Sequence, residues 1–495
     1  MTNVNATKIA KSGLWLMVSF VIAKLSQLIA QIILARLLSP QDFGIWGMVL
    51  VVTTLSALFK DTAIAGVLVY KGLEDKKLAN AVYSLGINIS ICMFLLQSLI
   101  AFPLSEFFRE PLVFPLTICA ALIFLISAGT GSHASVLQRQ MKFRAVAISD
   151  CLGEVTRFTI AISGAVLGWG VWSFVAGEIA AIAIDALLKR SLSRYSFTYH
   201  LIPDAAAVRE VRGYISSLVG INLAVYVNTN IDNLIVGRLI GAQALGFYNM
   251  GYQLAMLPSF ALSQINRVNF SVLSQKDDDG KRVYISQVLQ LYALVYAPIY
   301  GVAFVIAPWV IPLVYGAQWT ASANIFQIVL IFAYARGFMA ILGNGLNALN
   351  KPHINAAINW VLVPVSICGF LIGAWLGGVQ GVAYATALVM GVAASVWFWI
   401  AICRSAGWKL KDLLQPVLLP TVAVILSLIT VIISPLPEYL RPYFQAILVI
   451  LLYGINISFF SGGEIPKLLI NLVTKALKKN TSVSSSNSLN NIQKN

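Results

Sequence analysis

Long apolar stretches, separated by short turns that contain glycine, proline or charged residues, recur along the whole chain. A helix needs about 20 mostly apolar residues to cross roughly 30 Å of hydrocarbon. Fourteen stretches come close to or exceed this length, and they predict an all-α integral membrane protein with about fourteen transmembrane helices. The predicted spans are 13–37, 44–68, 79–104, 112–132, 145–167, 170–189, 213–238, 244–272, 284–307, 321–347, 353–375, 379–402, 413–433 and 442–461.

The composition agrees with a membrane protein. Of the 495 residues, 59% are hydrophobic and only 11% are charged, whereas about 25% of the residues of a soluble domain are charged. Most of the 34 lysine and arginine residues fall on loops that this helix count assigns to one side of the membrane. Cytoplasmic loops carry such an excess of basic residues, so we predict a multi-pass protein with both termini in the cytoplasm.

The sequence shows no pattern typical of an enzyme or of a cofactor site. GxSxG, HExxH and Walker A motifs are absent, and the five cysteines show no CxxC spacing. Cysteines without that spacing favour neither a zinc site nor a disulfide framework. We therefore predict no catalytic residues, no metal and no cofactor, and we expect energy to come from an ion gradient or from removal of the product.

The chain contains an internal repeat. Residues 34–48 read LARLLSPQDFGIWGM and residues 236–250 read VGRLIGAQALGFYNM, at an offset of 202 residues; GAVLG at 164–168 is matched by GAWLG at 373–377. Six helices separate the two copies, so both halves enter from the same side, as in transporters built from parallel repeats. The predicted segments are an N-lobe (1–189), a cytoplasmic linker (190–212), a C-lobe (213–403), a final helix pair (404–461) and a basic, partly disordered tail (462–495).

These paired segments resemble the polysaccharide-transport branch of the MOP exporter superfamily, and in particular the Wzx/WzxC-like lipopolysaccharide and exopolysaccharide flippases. VLQRQMKFR at 136–144 and GWGVWSFVAG at 168–177 fit the same group. The resemblance implies a MATE/MOP-like fold in the bacterial inner (plasma) membrane. It also implies that an undecaprenyl-pyrophosphate-type lipid-linked oligosaccharide moves to the outer leaflet by alternating access, without nucleic acid and in contact with a polysaccharide polymerase or export machinery.

Polar side chains inside the predicted spans are candidates for a cargo cavity. Lys24, Gln27 and Gln31 share one stripe of the first span, and the repeat relates them to Tyr226, Thr229 and Asn233. Arginine and lysine pair well with phosphate, which suggests a partly cationic central cavity. The alternative is hydrogen bonding between helices. The substrate-binding candidates are Lys24, Gln27, Gln31, Arg157, Arg336 and Asn233.

Acidic side chains at membrane depth are candidates for coupling transport to H⁺ or Na⁺. Glu154 stands three residues before Arg157, so the two can pair on one helix face; such a pair could equally serve only to ease insertion. The coupling candidates are Glu154, Glu178, Asp232 and Asp61. An ion-coupled drug or cation antiporter of the same superfamily is the alternative function, and it would need a net acidic pocket.

Overall fold

The computed structural model describes residues 25–64, 68, 73–273, 275–434 and 441–462. These residues form helices joined by short turns, and the described part contains no β-strand. Its first half consists of α1 (Leu25–Leu37), α2 (Pro40–Ile64), α3 (Lys76–Phe108), α4 (Val113–Ile126), α5 (Thr130–Arg139), α6 (Phe143–Val166) and α7 (Trp172–Ser193).

The second half of the chain is also helical. It consists of α8 (Ala205–Leu239), α9 (Ala242–Leu273), α10 (Asp278–Tyr315), a short 3₁₀ turn (Ala317–Trp319), α11 (Thr320–Ala348), α12 (Pro352–Ala385), a π-helix (Thr386–Ala393), α13 (Ala394–Ala406), α14 (Leu410–Ile433) and α15 (Arg441–Phe460). The range of α12 contains a kink, because the backbone at Gly377 and Gly378 is not helical. The basic tail that the sequence predicts lies outside the described residues.

The helices confirm the predicted class of an all-α integral membrane protein. In the described part, six helical stretches are long and apolar enough to span a membrane, and α4 with α5 makes a seventh if the bent pair crosses as one span. Because this test rests on length and composition, the count of fourteen transmembrane helices stays a prediction.

The predicted span 112–132 departs from a single straight helix. Its helix is interrupted between Ile126 and Thr130, and the axes of α4 and α5 differ by 44°. Gly129 adopts a φ of 75° at the break, a conformation that glycine reaches without the steric cost of a Cβ. Hydropathy averages over this position, so the break is invisible in the apolar pattern.

The predicted linker 190–212 is partly helical. The helix α7 continues to Ser193, and α8 already begins at Ala205. The carboxylate of Asp204 accepts hydrogen bonds from the backbone N–H groups of Ala206 (2.9 Å) and Ala207 (3.0 Å). This N-cap satisfies donors that the first helical turn leaves open, so the helix starts before the apolar span.

The described residues group into two compact units. The first is drawn from Met1–Ala255, Val310–Val329 and Ala356–Met390, and the second from Met256–Trp309, Leu330–Asn355 and Gly391–Asn495. The lobe boundaries that follow from the internal repeat stay a prediction.

In the first unit, the two copies of the repeated motif touch each other through glycine. A Cβ atom on Gly44 would overlap the carbonyl of Ala242, and one on Gly246 would overlap the carbonyl of Pro40. The 202-residue offset of the repeat relates Pro40 to Ala242 and Gly44 to Gly246. The helices α2 and α9 therefore pack backbone against backbone in a reciprocal contact, which small residues permit in membrane helices.

Helix ends close to this contact cap each other. The guanidinium of Arg36, at the end of α1, donates hydrogen bonds to the carbonyls of Leu313 (2.6 Å) and Val314 (2.8 Å) at the end of α10. In return, the indole N–H of Trp319 donates to the carbonyl of Ala35 in α1 (2.8 Å). The last carbonyls of a helix have no partner within it, so these bonds satisfy groups that would otherwise be buried alone.

In the second unit, tyrosine hydroxyls join helices. The hydroxyl of Tyr453 on α15 donates to the carbonyl of Leu294 on α10 (2.9 Å), and Tyr334 on α11 is hydrogen-bonded to Thr421 on α14 (2.9 Å). Buried hydroxyl groups usually find such partners. The final helix pair is thus attached to α10 and α11 by polar as well as apolar contacts.

The glycine contact generates a stability prediction. Gly44→Ala and Gly246→Ala should each lower the free energy of unfolding by about 1–3 kcal/mol, the usual cost of overpacking, because each new methyl group meets a backbone carbonyl. The control is Gly454→Ala on α15, where a Cβ has no heavy atom within 4 Å. Thermal unfolding of the purified protein in detergent measures the effect, and equal midpoints for all three variants would contradict the close contact.

Candidate functional site

A polar cavity lies inside the first compact unit. Its volume is about 410 Å³, and its walls come from α2, the α4–α5 break, α6 and α7. A charged group at membrane depth is costly unless it faces a partner or a wet cavity. The ionisable side chains that line it are Lys60, Asp150, Glu154, Arg157, Asp185 and Lys189.

At one position of this cavity, Arg157 lies between two carboxylates. Its guanidinium is 3.5 Å from Glu154 on the same helix and 3.2 Å from Glu178 on α7. Gly177 makes the second pair possible, because a Cβ there would lie 2.6 Å from the carbonyl oxygen of Arg157. The two helices therefore approach closely enough for the side chains of α6 and α7 to meet.

A second position repeats this arrangement with lysine. The ammonium of Lys189 is 2.8 Å from Asp150 on α6 and 2.7 Å from Asp185 on its own helix. The side chain of Lys189 is only 13% exposed, while Asp185 is 27% and Asp150 is 54% exposed, so water screens the pair with Asp185 less than the pair with Asp150. Each of the two cations thus joins α6 to α7 and is shared by two acids.

The third cation of the cavity, Lys60, comes from α2. Its ammonium donates a hydrogen bond to the hydroxyl of Ser127 at the α4–α5 break (2.8 Å) and lies 5.9 Å from the ring centroid of Phe124. The cluster as a whole contains four carboxylates and three cations: Asp150, Glu154, Glu178 and Asp185 with Lys60, Arg157 and Lys189. The cluster around Arg157 therefore has one carboxylate more than it has cations, and it is not cationic.

The remaining cavity candidates lie at other places. Gln31 donates to the side-chain oxygen of Gln253 (3.3 Å), while the side chain of Gln27 is exposed on α1. Arg336 belongs to the second compact unit, where its guanidinium lies 5.8 Å from the ring centroid of Phe332. Lys24 and the side chain of Asp61 lie outside the described part of the chain.

A separate polar network surrounds Asp232. The hydroxyl of Tyr248 donates to one carboxylate oxygen of Asp232 (2.7 Å), and the backbone N–H of Asn233 donates to the other (2.8 Å). Tyr248 is also hydrogen-bonded to Thr386 (2.9 Å), the first residue of the π-helix. Asp232 is only 5% exposed, and within the described residues no lysine, arginine or histidine forms an ion pair with it.

The sequence missed Lys189 and left Lys60 without a partner. Lys189 is the last residue of the predicted span 170–189, and it lies four residues after Asp185 and eleven after Glu178, on one helical face. That spacing was a usable signal for Lys189. The contact between Lys60 and Ser127 had no such signal, because it joins residues 67 positions apart.

These features define the class of protein. It is an all-α membrane protein with ion-paired side chains inside its helix bundle, an arrangement typical of transporters. A family model described as polysaccharide biosynthesis protein matches residues 33–324, more than half of the chain. The chain belongs to this family.

Known proteins resemble the chain over most of its length. The lipopolysaccharide biosynthesis protein WzxC of Escherichia coli (strain K12) is 23% identical over 414 residues, covering 82% of this chain and 83% of that protein. The structure of the lipid II flippase MurJ in an inward closed conformation matches with a TM-score of 0.74 at 15% identity, covering 91% of this chain and 99% of that chain. A multidrug resistance MATE family transporter of the MOP superfamily, inward-facing, matches with a TM-score of 0.58 at 14% identity, covering 79% and 96%. The two structures show the fold.

The Lys189 pairs generate a second stability prediction. Lys189→Met should lower the free energy of unfolding by about 1–3 kcal/mol, because Asp185 (27% exposed) and, to a smaller extent, Asp150 (54% exposed) lose their cation. Adding Asp150→Asn and Asp185→Asn should restore much of the loss. Lys281→Met is the matched control: that lysine is 14% exposed but pairs with Asp278, which is 75% exposed, so at most about 1 kcal/mol is expected. Thermal unfolding in detergent compares them, and equal losses would refute the structural role of the Lys189 pairs.

Proposed function

We propose that this protein is a flippase that moves a lipid-pyrophosphate-linked oligosaccharide from the cytoplasmic to the outer leaflet for surface polysaccharide (O-antigen or exopolysaccharide) biosynthesis. The family and the similarity to WzxC along most of both chains support this cargo. The observation that carries the proposal is the ion-paired cavity, since ionisable side chains are rare at membrane depth and mark the paths of polar substrates.

The charge pairs offer a way to accept an anionic headgroup. A diphosphate loses its hydration when it enters the membrane, and this cost is offset only by opposite charges and hydrogen bonds. Arg157 is shared by Glu154 and Glu178 at 3.5 and 3.2 Å, so an incoming phosphate would exchange with a carboxylate partner. We expect Arg336, Lys24, Gln27, Gln31 and Asn233 to contact cargo as well.

The architecture that fits this function has fourteen transmembrane helices. Two parallel six-helix lobes (1–189 and 213–403) would alternate access to the two sides of the membrane, with helices 13 and 14 (404–461) outside the repeat. Both termini would lie in the cytoplasm, and the protein would reside in the bacterial inner membrane. The protein would transport its cargo without changing it chemically. A polymerase or export complex would receive the translocated oligosaccharide.

The coupling ion is proposed to be H⁺ or Na⁺, bound by acidic side chains among Asp61, Glu154, Glu178 and Asp232. Asp232 is the best-supported of them, because a carboxylate that is 5% exposed and faces hydroxyl groups costs least when it holds a proton or a cation. Binding and release at Asp232 would then accompany the transport cycle.

The double variant Arg157→Gln, Arg336→Gln tests cargo binding. We expect at least a roughly tenfold loss of translocation, since charge-assisted hydrogen bonds contribute about 1.5–3 kcal/mol each. The assay uses inverted vesicles supplied with a fluorescent undecaprenyl-pyrophosphate sugar. Arg282→Gln is the matched control, because that arginine pairs with Asp412 (3.0 Å) and lies outside the cavity. Full activity of the correctly inserted double variant would count against the cargo site.

Asp232→Asn tests the coupling ion. The amide cannot take up a proton and binds cations weakly, so translocation should no longer respond to an imposed pH or Na⁺ gradient. The control Asp279→Asn changes a side chain that is 85% exposed and should leave the response intact. Vesicles with defined gradients measure both, and an unchanged response in Asp232→Asn would exclude this residue.

An ion-coupled drug or cation antiporter is the second candidate. The excess of one carboxylate in the cavity and the fold shared with a MATE transporter favour it. The same vesicles distinguish the two: an antiporter would move a fluorescent organic cation and leave the lipid-linked sugar in place.

A further inference from the structure

The break between α4 and α5 has the composition of an anion-binding loop. Residues 127–132 read SAGTGS and lead directly into α5, a helix of 10 residues. Ser127, Thr130 and Gly131 line the polar cavity, so the first turn of α5 faces it. In the first turn of α5, the N–H groups of Thr130 and Ser132 already donate to the carbonyls of Ser127 (3.0 Å) and Gly129 (3.2 Å). Among the described residues, the N–H of Gly131 is therefore the donor of this turn that can face a ligand, as at other helix starts.

The electrostatics of the break favour an anion. Where a helix is interrupted, the partly negative end of the first segment normally offsets the partly positive start of the next. Here the guanidinium of Arg190 donates to the carbonyls of Ile126 (2.9 Å) and Ala128 (2.7 Å). These carbonyls at the end of α4 already have a cationic partner. They therefore offset less of the partial positive charge at the start of α5, which faces the cavity.

An independent observation points to a ligand at the same place. Thr130 is only 6% exposed, and its hydroxyl oxygen is buried without a hydrogen-bond partner among the described residues. A buried hydroxyl without a partner costs about 1–3 kcal/mol. Because Thr130 lines the cavity, an oxygen of a bound ligand would satisfy it.

Lys60 brings a positive charge to the break from α2. Its ammonium already donates to Ser127 at 2.8 Å, which places it beside the start of α5. The cavity also contains acids that would oppose an anion. Asp150 and Asp185 form ion pairs with Lys189, and Glu154 forms one with Arg157. Asp185 is also attracted electrostatically by Lys60. These ion pairs limit the repulsion that the acids exert.

We propose that the α4–α5 break is a binding site for a phosphoryl group, with the start of α5, the hydroxyl of Thr130 and the ammonium of Lys60 as its donors. Interrupted membrane helices use the positive start of a half-helix in the same way to hold anionic groups. The identification of the phosphoryl group with the diphosphate of a lipid-linked cargo rests on the proposed function. The site itself requires only phosphate oxygens.

Binding to the purified full-length protein tests the site. The probes are inorganic diphosphate and farnesyl diphosphate, a short prenyl diphosphate, titrated by isothermal calorimetry. Thr130→Val and Lys60→Gln should each weaken binding by about tenfold, as expected for one hydrogen bond to a charged group. Thr130→Ser, which keeps the hydroxyl, and Lys60→Arg, which keeps the charge, should bind within about threefold of the wild type.

The matched control is Thr117→Val. Thr117 lies on α4, is fully buried and also has a hydroxyl oxygen without a partner among the described residues, but it does not line the cavity. Thr117→Val therefore removes the same hydroxyl group as Thr130→Val, but at a position outside the cavity. Unchanged binding in both Thr130→Val and Lys60→Gln, or an equal loss in Thr117→Val, would overturn the proposal.

The two probes identify the source of the phosphoryl group. Equal affinities indicate that the phosphate oxygens alone are recognised, and tighter binding of farnesyl diphosphate indicates a lipid-linked ligand; the site stands in both cases. If the wild type binds diphosphate through Thr130 but does not translocate a lipid-linked oligosaccharide, the proposed function fails and the site stands. If translocation is normal while both variants bind diphosphate as the wild type does, the proposed binding site is refuted and the proposed flippase function is retained.

Discussion

The polar cavity of the first unit depends on the pairing of charges inside a mostly apolar helix bundle. An unpaired charge inside a membrane protein is so costly that its partner must lie within the bundle. Arg157 and Lys189 meet this requirement in the same way, since each lies between an acid of its own helix and an acid of the neighbouring one. The close packing of α6 and α7 at Gly177 brings the Arg157 pair together, and both cations line the cavity.

Such a cluster can both stabilise the protein and bind a ligand. A cation shared by two carboxylates can give up one of them to an incoming anion without losing all of its partners. The α4–α5 break adds donors of a different kind, because its positive end comes from backbone N–H groups rather than from a side chain. The polar cavity therefore combines exchangeable ion pairs on α6 and α7 with a fixed dipole on α5.

The fold is shared more widely than the site. MurJ and the MATE transporter have the same architecture at 15% and 14% identity, and a fold of this kind does not decide the cargo. The reciprocal contact of Gly44 and Gly246 belongs to the architecture, since it depends on backbone proximity and repeat symmetry. The charges of the cavity belong to the site, and they are the side chains on which a difference in cargo would depend.

The amino-acid sequence alone determined the membrane class, the all-helical architecture and the resemblance to the family, because hydropathy, helix length and motif spacing are local properties. It also placed Glu154 and Arg157 on one face, since that pair is three residues apart. The tertiary structure decided the rest: Glu178 reaches Arg157 only through the packing at Gly177, and Lys60 meets Ser127 across 67 positions. The break at Gly129 escaped the apolar pattern because averaged hydropathy does not register a left-handed φ, whereas the folded chain uses that conformation to turn a helix start toward the cavity.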